Sequence, residues 1–463
     1  MSFIFHILRV MLALALAAAP LWAQTQPPTR QLVPLHQEGT GPGGHPRLVG
    51  DLSVEGAVEL GTAQRLELAL ARTELQRMRA ELEMARAEGR LKVALGTYVT
   101  FQNIPMIYQG APGVEPSFLT QVPDESALDL NVMAMLPLFT GGRFEARVAA
   151  AEAAERRALA MVALELRETA REARKRYQDV LLALEQVDIA NWELEQQQEA
   201  LRLARASLEA GRVARYVVLR SAAEVAQARQ RLNQARARLT MAENDLKVAL
   251  GVAVTSSFQY SEAVPPRSPA SGLEDDFASA IADRPDLVAA RYGVEEAGRR
   301  IDEAGAAYAP QLYLVGMGEG MWRRPFSSGP FESGASGGLV LSVPLLDGGE
   351  RRAGVQRAEA ERQGRELELE RLELVVTGQV SNARAALEAA LENLALAEEV
   401  VADADEQLRI TRLRFEVGRG IYLEVLDALA AAARARLNRA EAASEAGSAY
   451  ADWLYAVGRL TER

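Results

Sequence analysis

The chain has no cysteine. This excludes disulfides, thiolate metal sites, cysteine nucleophiles and a lipid carried on an N-terminal cysteine. Histidine is nearly as scarce: His6, His36 and His45 are the only three, and all fall in the first 45 residues. Ser-His-Asp catalysis and histidine-ligated zinc are therefore ruled out for the main body. Aromatic residues make up only 6% of the chain although apolar residues reach 49%, much of it alanine. That balance suits long helices packed close together better than one thick globular core. Carboxylates are plentiful but none is paired into an evident acid/base site, so neither an enzyme nor a cofactor is expected. The 52 basic and 63 acidic residues leave a net charge of −11, which opposes nucleic acid as a partner. Long apolar runs are missing after residue 23, because charge interrupts each one within a few residues. No transmembrane helix is expected there.

Residues 1–23 read as an export signal. His6 and Arg9 give a weak basic start, and Val10 to Ala19 give a short apolar core. That core is about half the ~20 residues that span a bilayer. Residues 24–52 are rich in Pro, Gly, Gln and Thr and are expected to form a flexible arm. His36 and His45 lie on it, and solvation is their expected state, not metal binding.

The remainder is one unit written twice. Shifting the sequence by 207 residues places Pro137, Leu138, Gly141 and Gly142 on Pro344, Leu345, Gly348 and Gly349. The same shift places Gly211-Arg212 on Gly418-Arg419, Val218-Leu219 on Val425-Leu426, and Gly251 on Gly458. The repeats span 53–251 and 273–463, joined by a linker at 252–272 that holds Pro265, Pro266 and Pro269. Each opens with a charged, Ala-rich helical stretch, 53–95 or 273–307. Two strands with a Pro/Gly-rich loop between them follow, expected at 97–101 and 128–138 in the first unit and at 311–315 and 338–345 in the second. Leu128, Leu130, Val132, Ala134, Leu136 and Leu138 alternate with Asp129, Asn131, Met133, Met135 and Pro137, so one face is apolar. Asp129 and Asn131 are then candidates to line a pore.

Gly-Gly next opens a very long helix, expected over 142–209 and 349–416, on the order of 100 Å at 1.5 Å per residue. It carries a heptad stripe: Leu159, Leu166, Ala173, Val180, Val187, Leu194, Leu201 and Leu208 in the first unit, and Val380, Leu387, Leu394, Val401, Leu408 and Phe415 in the second. Such spacing implies helices packed side by side in a coiled-coil manner. Gly211 and Gly418 break these helices, and shorter ones return over 213–250 and 421–457. Four strands cannot close a barrel, and open edges are intolerable in lipid. Three copies would supply twelve strands.

The duplicated unit, the strand ending Leu136-Pro137-Leu138-Phe139-Thr140-Gly141-Gly142 and the glycine tip with Val-Leu seven residues beyond it together resemble the TolC-like outer-membrane efflux and secretion channels. The resemblance covers about 53–458, nearly the whole mature chain. It implies a mostly helical fold with a small membrane β portion. It further implies a homotrimer whose twelve-stranded β-barrel in outer-membrane lipid continues into a periplasmic α-helical barrel. The implied partners are a periplasmic adaptor protein and an inner-membrane pump, and the implied adaptor contacts are Ala210, Gly211, Arg212, Val417, Gly418 and Arg419. The family often has Leu where Arg212 and Arg419 stand here. Efflux and polypeptide secretion use the same outer component, and the sequence does not separate them.

Glu424 and Asp427 lie three apart just beyond the second tip, and three chains would gather six carboxylates at the narrow end of a tube. An acidic ring that favours cations is one reading. A first-turn acid that suits the helix dipole is the other. Trp322-Arg323-Arg324-Pro325-Phe326 reads as an interfacial aromatic anchor. A purely structural periplasmic coiled-coil protein is the rival class, but it leaves the paired strand inserts unexplained.

Overall fold

The computed structural model describes residues 35–41, 44–100, 127–261, 266–323 and 331–459. The export signal, the start of the arm, the loop at 102–126 and Arg324-Pro325-Phe326 lie outside the described residues.

Two helices of 67 residues dominate, α3 (Arg143–Glu209) and α7 (Glu350–Glu416). Each is followed by a 35-residue return helix, α4 (Arg215–Ala249) or α8 (Tyr422–Ala456). Each is preceded by a short pair: α1 (Val54–Gln64) with α2 (Leu66–Glu88), and α5 (Leu273–Asp283) with α6 (Pro285–Gly305). The helical stretches expected to be continuous over 53–95 and 273–307 are therefore each broken once. At Arg284 the cause is the following proline, which disfavours helical backbone in the residue before it; ψ there is 125°. Arg65 breaks the first stretch with ψ 132°.

α3 packs on α1, α2, α4, α6 and α8, and α7 packs on α5, α6 and α8. Small side chains make this possible. α8 buries Ala428, Ala432, Ala435, Ala440, Ala446, Ala449 and Ala451, so helix axes approach closely without a thick layer of large residues. The heptad stripe is buried at Ala173, Val180, Val380, Leu387 and Leu408. Leu159 departs from it and is 53% exposed, because Ala154 and Ala158 take the contact with Leu75 and Met78 of α2.

Two apolar cores form a waist. One joins Ala280, Leu287, Val376, Val380, Leu387, Trp453 and Leu454; the other joins Leu48, Leu52, Ala173, Tyr177, Val180, Leu246, Leu250 and Phe258. The second includes a three-stranded sheet ordered β1 (His36–Thr40), β2 (Pro46–Leu52), β5 (Ser257–Tyr260). This corrects the flexible arm over its second half, and the first part of the linker as well. Prolines and glycines hide the strand signal, but Leu48 and Leu52 are buried, and β2 runs parallel to β5 with Gly50 opposite Phe258. His36 stands opposite Val49 in the ladder, and His45 holds the turn, its carbonyl accepting the Gly41 N–H at 2.8 Å. Tyr177 ties the sheet to α3: its buried hydroxyl lies 2.8 Å from the Leu52 carbonyl and 2.7 Å from that of Ser261.

The other core is pinned by a buried carboxylate. Asp276 accepts hydrogen bonds from Ser271 Oγ at 2.6 Å, an Arg384 guanidinium nitrogen at 3.0 Å and Trp453 Nε1 at 3.2 Å. Removing it leaves the Trp453 indole N–H without its acceptor and the Arg384 guanidinium with only the Ser271 carbonyl at 2.8 Å and Glu388 at 2.9 Å. Asp276→Ala is expected to cost about 3 kcal/mol in chemical unfolding of the detergent-solubilised protein. Adding Arg384→Met to the same chain should recover part of that loss.

Candidate functional site

The second sheet is ordered β3 (Lys92–Thr100), β4 (Ala127–Phe139), β6 (Gln311–Arg323), β7 (Phe331–Ser342), antiparallel throughout. β3 starts five residues earlier than expected, recruited by the β4 ladder from Lys92 opposite Met135. β6 runs on to Arg323 and β7 begins at Phe331, where a loop over 316–336 was expected. Gly316, Gly318 and Gly320 look like loop residues, yet all three occupy ladder positions. At Gly320 the Phe331 ring fills the space of the missing side chain; an added Cβ would lie 2.9 Å from it. That ring also meets Trp322 edge-on at 5.7 Å. Beyond Ser342 the chain leaves the ladder before Pro344, so the expected strand end at 345 is too late.

Register assigns the two faces. Leu128, Leu130, Val132, Leu314, Trp322, Phe331, Leu339 and Leu341 share one face, which carries no charge. Lys92, Asp129, Asn131, Glu319 and Glu332 share the other. Asn131 stands opposite Glu319 on β6 and Gly96 on β3, and its carboxamide lies over Gly96, where a Cβ would fall 2.6 Å from Oδ1. Glu319 belongs with Asp129 and Asn131 but escapes sequence reasoning, because β4 and β6 are far apart in the chain.

At the far end of the long helices the two tips lie together. Gly211 (φ +68°) and Gly418 (φ +75°) take left-handed backbone. Arg212 N–H then reaches Ser207 O and Gly211 N–H reaches Leu208 O, with Arg419 to Arg414 and Gly418 to Phe415 in the second tip. This double bond pattern closes a helix end through a left-handed residue, the conformation glycine adopts without strain. Ala210, Gly211, Arg212, Val417, Gly418 and Arg419 are all exposed. Ala200, Ala204, Tyr422 and Leu426 pack beneath them with Val217, Val218 and Phe415. Ser221 Oγ and the Tyr422 hydroxyl hydrogen-bond at 2.7 Å between the repeats. Burial pushes the Tyr422 phenol above its ordinary range, so it remains a neutral partner in this bond. An open groove of about 930 Å³ runs between the tips, lined by Arg212, Tyr216, Arg220, Val417, Ile421 and Leu423 among others.

Glu424 and Asp427 both lie on the first turns of α8 but in different settings. Glu424 is half-buried, with Oε2 lacking a hydrogen-bond partner among the described residues; Asp427 is exposed. Asp427 lines a groove between α3, α4 and α8 together with Arg220 and Arg434. The 207-residue shift sets Arg220 over Asp427, a charge reversal that the sequence displays once the repeat is aligned. Among the described residues no cluster of His, Asp and Glu could hold a metal ion, and no helix is long and apolar enough to cross a membrane.

A duplicated pair of long helices thus carries, at one end, a sheet with one uncharged face. The profile of the outer membrane efflux protein family matches residues 57–252 and 277–458, and the chain belongs to that family. It is 26% identical over 267 residues to the outer membrane efflux protein BepC of Brucella suis biovar 1 (strain 1330), a match that spans 57% of each chain. The fold is that of VceC from Vibrio cholerae, with TM-score 0.73, 18% identity, and 88% of this chain and 96% of that one covered. It is also that of the open-state MtrE outer membrane channel of Neisseria gonorrhoeae, with TM-score 0.71, 18% identity, and 95% and 98% covered.

Gly211→Val and Gly418→Val place a branched side chain on left-handed backbone. Each is expected to cost about 1–2 kcal/mol locally and to open its tip to limited proteolysis, with cleavage sites mapped by mass spectrometry.

Proposed function

We propose that this chain is one subunit of a homotrimeric passive conduit that leads from the periplasm to the exterior and acts in a tripartite efflux or type I secretion system. The observation that carries this reading is the four-stranded sheet with one uncharged face and two edges, β3 and β7, that have no partner strand among the described residues. β4 and β6 have 13 residues and β7 has 12, enough to cross a bilayer as tilted strands. Three copies would join β7 of each to β3 of the next and close twelve strands. Leu367, Leu374, Leu396, Val400 and Leu413 on α7, with Leu66, Leu70 and Met84 near or on α2, are exposed in the single chain and offer apolar surface for the same assembly. The long helices would continue the barrel as a periplasmic tube.

In this reading the uncharged face meets lipid, and Asp129, Asn131 and Glu319 line the pore. The tips, through Ala210, Gly211, Arg212, Val417, Gly418 and Arg419, dock a periplasmic adaptor that connects to an inner-membrane pump. Glu424 and Asp427 form an acidic constriction at the tip end, in which Arg220 offsets part of the charge. The chain moves substrates without altering them.

Trimers that need detergent and fractionate with the outer membrane are the expected result of purification. Soluble elongated dimers would overturn the reading and favour a structural coiled-coil protein. Arg212→Glu with Arg419→Glu should cut crosslinking to the co-expressed adaptor at least fivefold while leaving the trimer intact. Glu424→Gln with Asp427→Asn should lower the cation-over-anion permeability ratio of single channels. An unchanged ratio would dismiss the acidic ring.

A further inference from the structure

The charged face of the second sheet carries an unexpected residue type. Met133 and Met135 on β4, and Met317 and Met321 on β6, occupy the same face as Asp129, Asn131 and Glu319. These four are among the 11 methionines of the whole chain. Met133 stands directly opposite Met317. Met135 is two residues along β4, opposite Val315, and so is the diagonal neighbour of Met317. Directly opposed side chains have Cβ atoms about 5 Å apart, and diagonal pairs about 7–8 Å, within reach of long side chains. Three thioethers can therefore converge on one point. Met133 and Met317 are half-buried, and Met135 is 37% exposed, so the cluster is accessible from the face it lines.

We propose that Met133, Met135 and Met317 form a thioether site for a soft monovalent cation, Cu(I) or Ag(I), on the pore face of the sheet. The inference rests on the conduit reading above, which makes this face the wet one. Thioether sulfur is a soft ligand that selects such ions over hard ones. Methionine as simple core filler belongs in a dry interior, whereas here its neighbours on the same face are Asn131 and Glu319. No cysteine exists in the chain, and no histidine lies beyond residue 45, so no stronger soft ligand competes in this region. Glu319, two residues from Met317, and Asp129 further along contribute negative charge on this face, against the positive charge of Lys92 opposite Met135. The selectivity of the site thus rests on the softness of its sulfur ligands. Met321, opposite Asp129 and four residues along from Met317, offers a next contact for an ion moving along the strand.

The test uses the full-length protein purified in detergent and inserted in planar bilayers, in nitrate salts to keep silver soluble. Micromolar Ag(I) is expected to reduce single-channel conductance, and about one silver ion per protomer should be retained after gel filtration. Met133→Leu/Met135→Leu/Met317→Leu conserves volume. It should conduct normally in the absence of silver, lose the retained ion and need at least tenfold more silver for the same block. Met135→Leu alone gives a smaller shift in the same direction and serves if the triple variant does not assemble. Met84 and Met241 are exposed single thioethers and remain in every variant, so the difference isolates the cluster. A parent channel that conducts but ignores silver, or variants that respond as the parent does, would overturn the site and leave the conduit reading intact. A purified protein that forms no conducting pore would overturn both.

Discussion

Among the described residues, the outer backbone groups of β3 and β7 have no partner strand. In water that costs little. In hydrocarbon each unmatched N–H or C=O costs several kcal/mol, and side chains cannot remove the penalty along a whole edge. An uncharged sheet face asks for lipid, while the two edges forbid it to a lone subunit. The helical body points the same way: apolar residues such as Leu367, Leu374 and Leu413 are left exposed along α7, away from the two cores at the waist. In the proposed trimer, this sheet would be one sector of a closed barrel.

The helical body solves a different problem, that of length without bulk. Alanine permits close axes, and the buried polar contacts are gathered at the waist instead of spread along the rods. Asp276 with Arg384 and Trp453 fastens α5 to α7 and α8, and Tyr177 fastens α3 to the small sheet. Toward the tips, packing depends on small residues such as Ala200 and Ala204, on the Ser221–Tyr422 hydroxyl pair, and on ties such as Arg412 with Gln196 and Arg436 with Asp405. The tip turns themselves are held by backbone hydrogen bonds.

Parts of this were legible in the residues. Glycines repeated at a constant shift mark where the long helices begin and end, because left-handed backbone at a reversal has few substitutes. Period-two alternation in β4 exposes its two faces for the same local reason. Other parts depend on partners distant in sequence. β6 beyond Val315 reads as a loop because Gly316, Gly318 and Gly320 carry no side-chain pattern, and the Phe331 ring across the ladder explains Gly320. β1 and β2 hide behind prolines and glycines until β5 and Tyr177 supply their bonds. Glu319 joins Asp129 and Asn131 only through register between strands of different repeats. Asp427 is visible as an acid beyond a tip and Arg220 as its counterpart in the aligned repeat, but the groove they share is a matter of packing between the repeats.

Tyr177 lies close to the midpoint of α3, between Arg143 and Glu209. Its two carbonyl contacts pin the helix to the waist sheet at that point. A rod held at its centre is a pair of levers. A sideways push at the tip acts through an arm of roughly 50 Å at 1.5 Å per residue and arrives at the waist as a turning moment. The parallel pairing of β2 with β5 lies where that moment is greatest. The few short strands of the waist sheet thus share that load with the helices packed along α3.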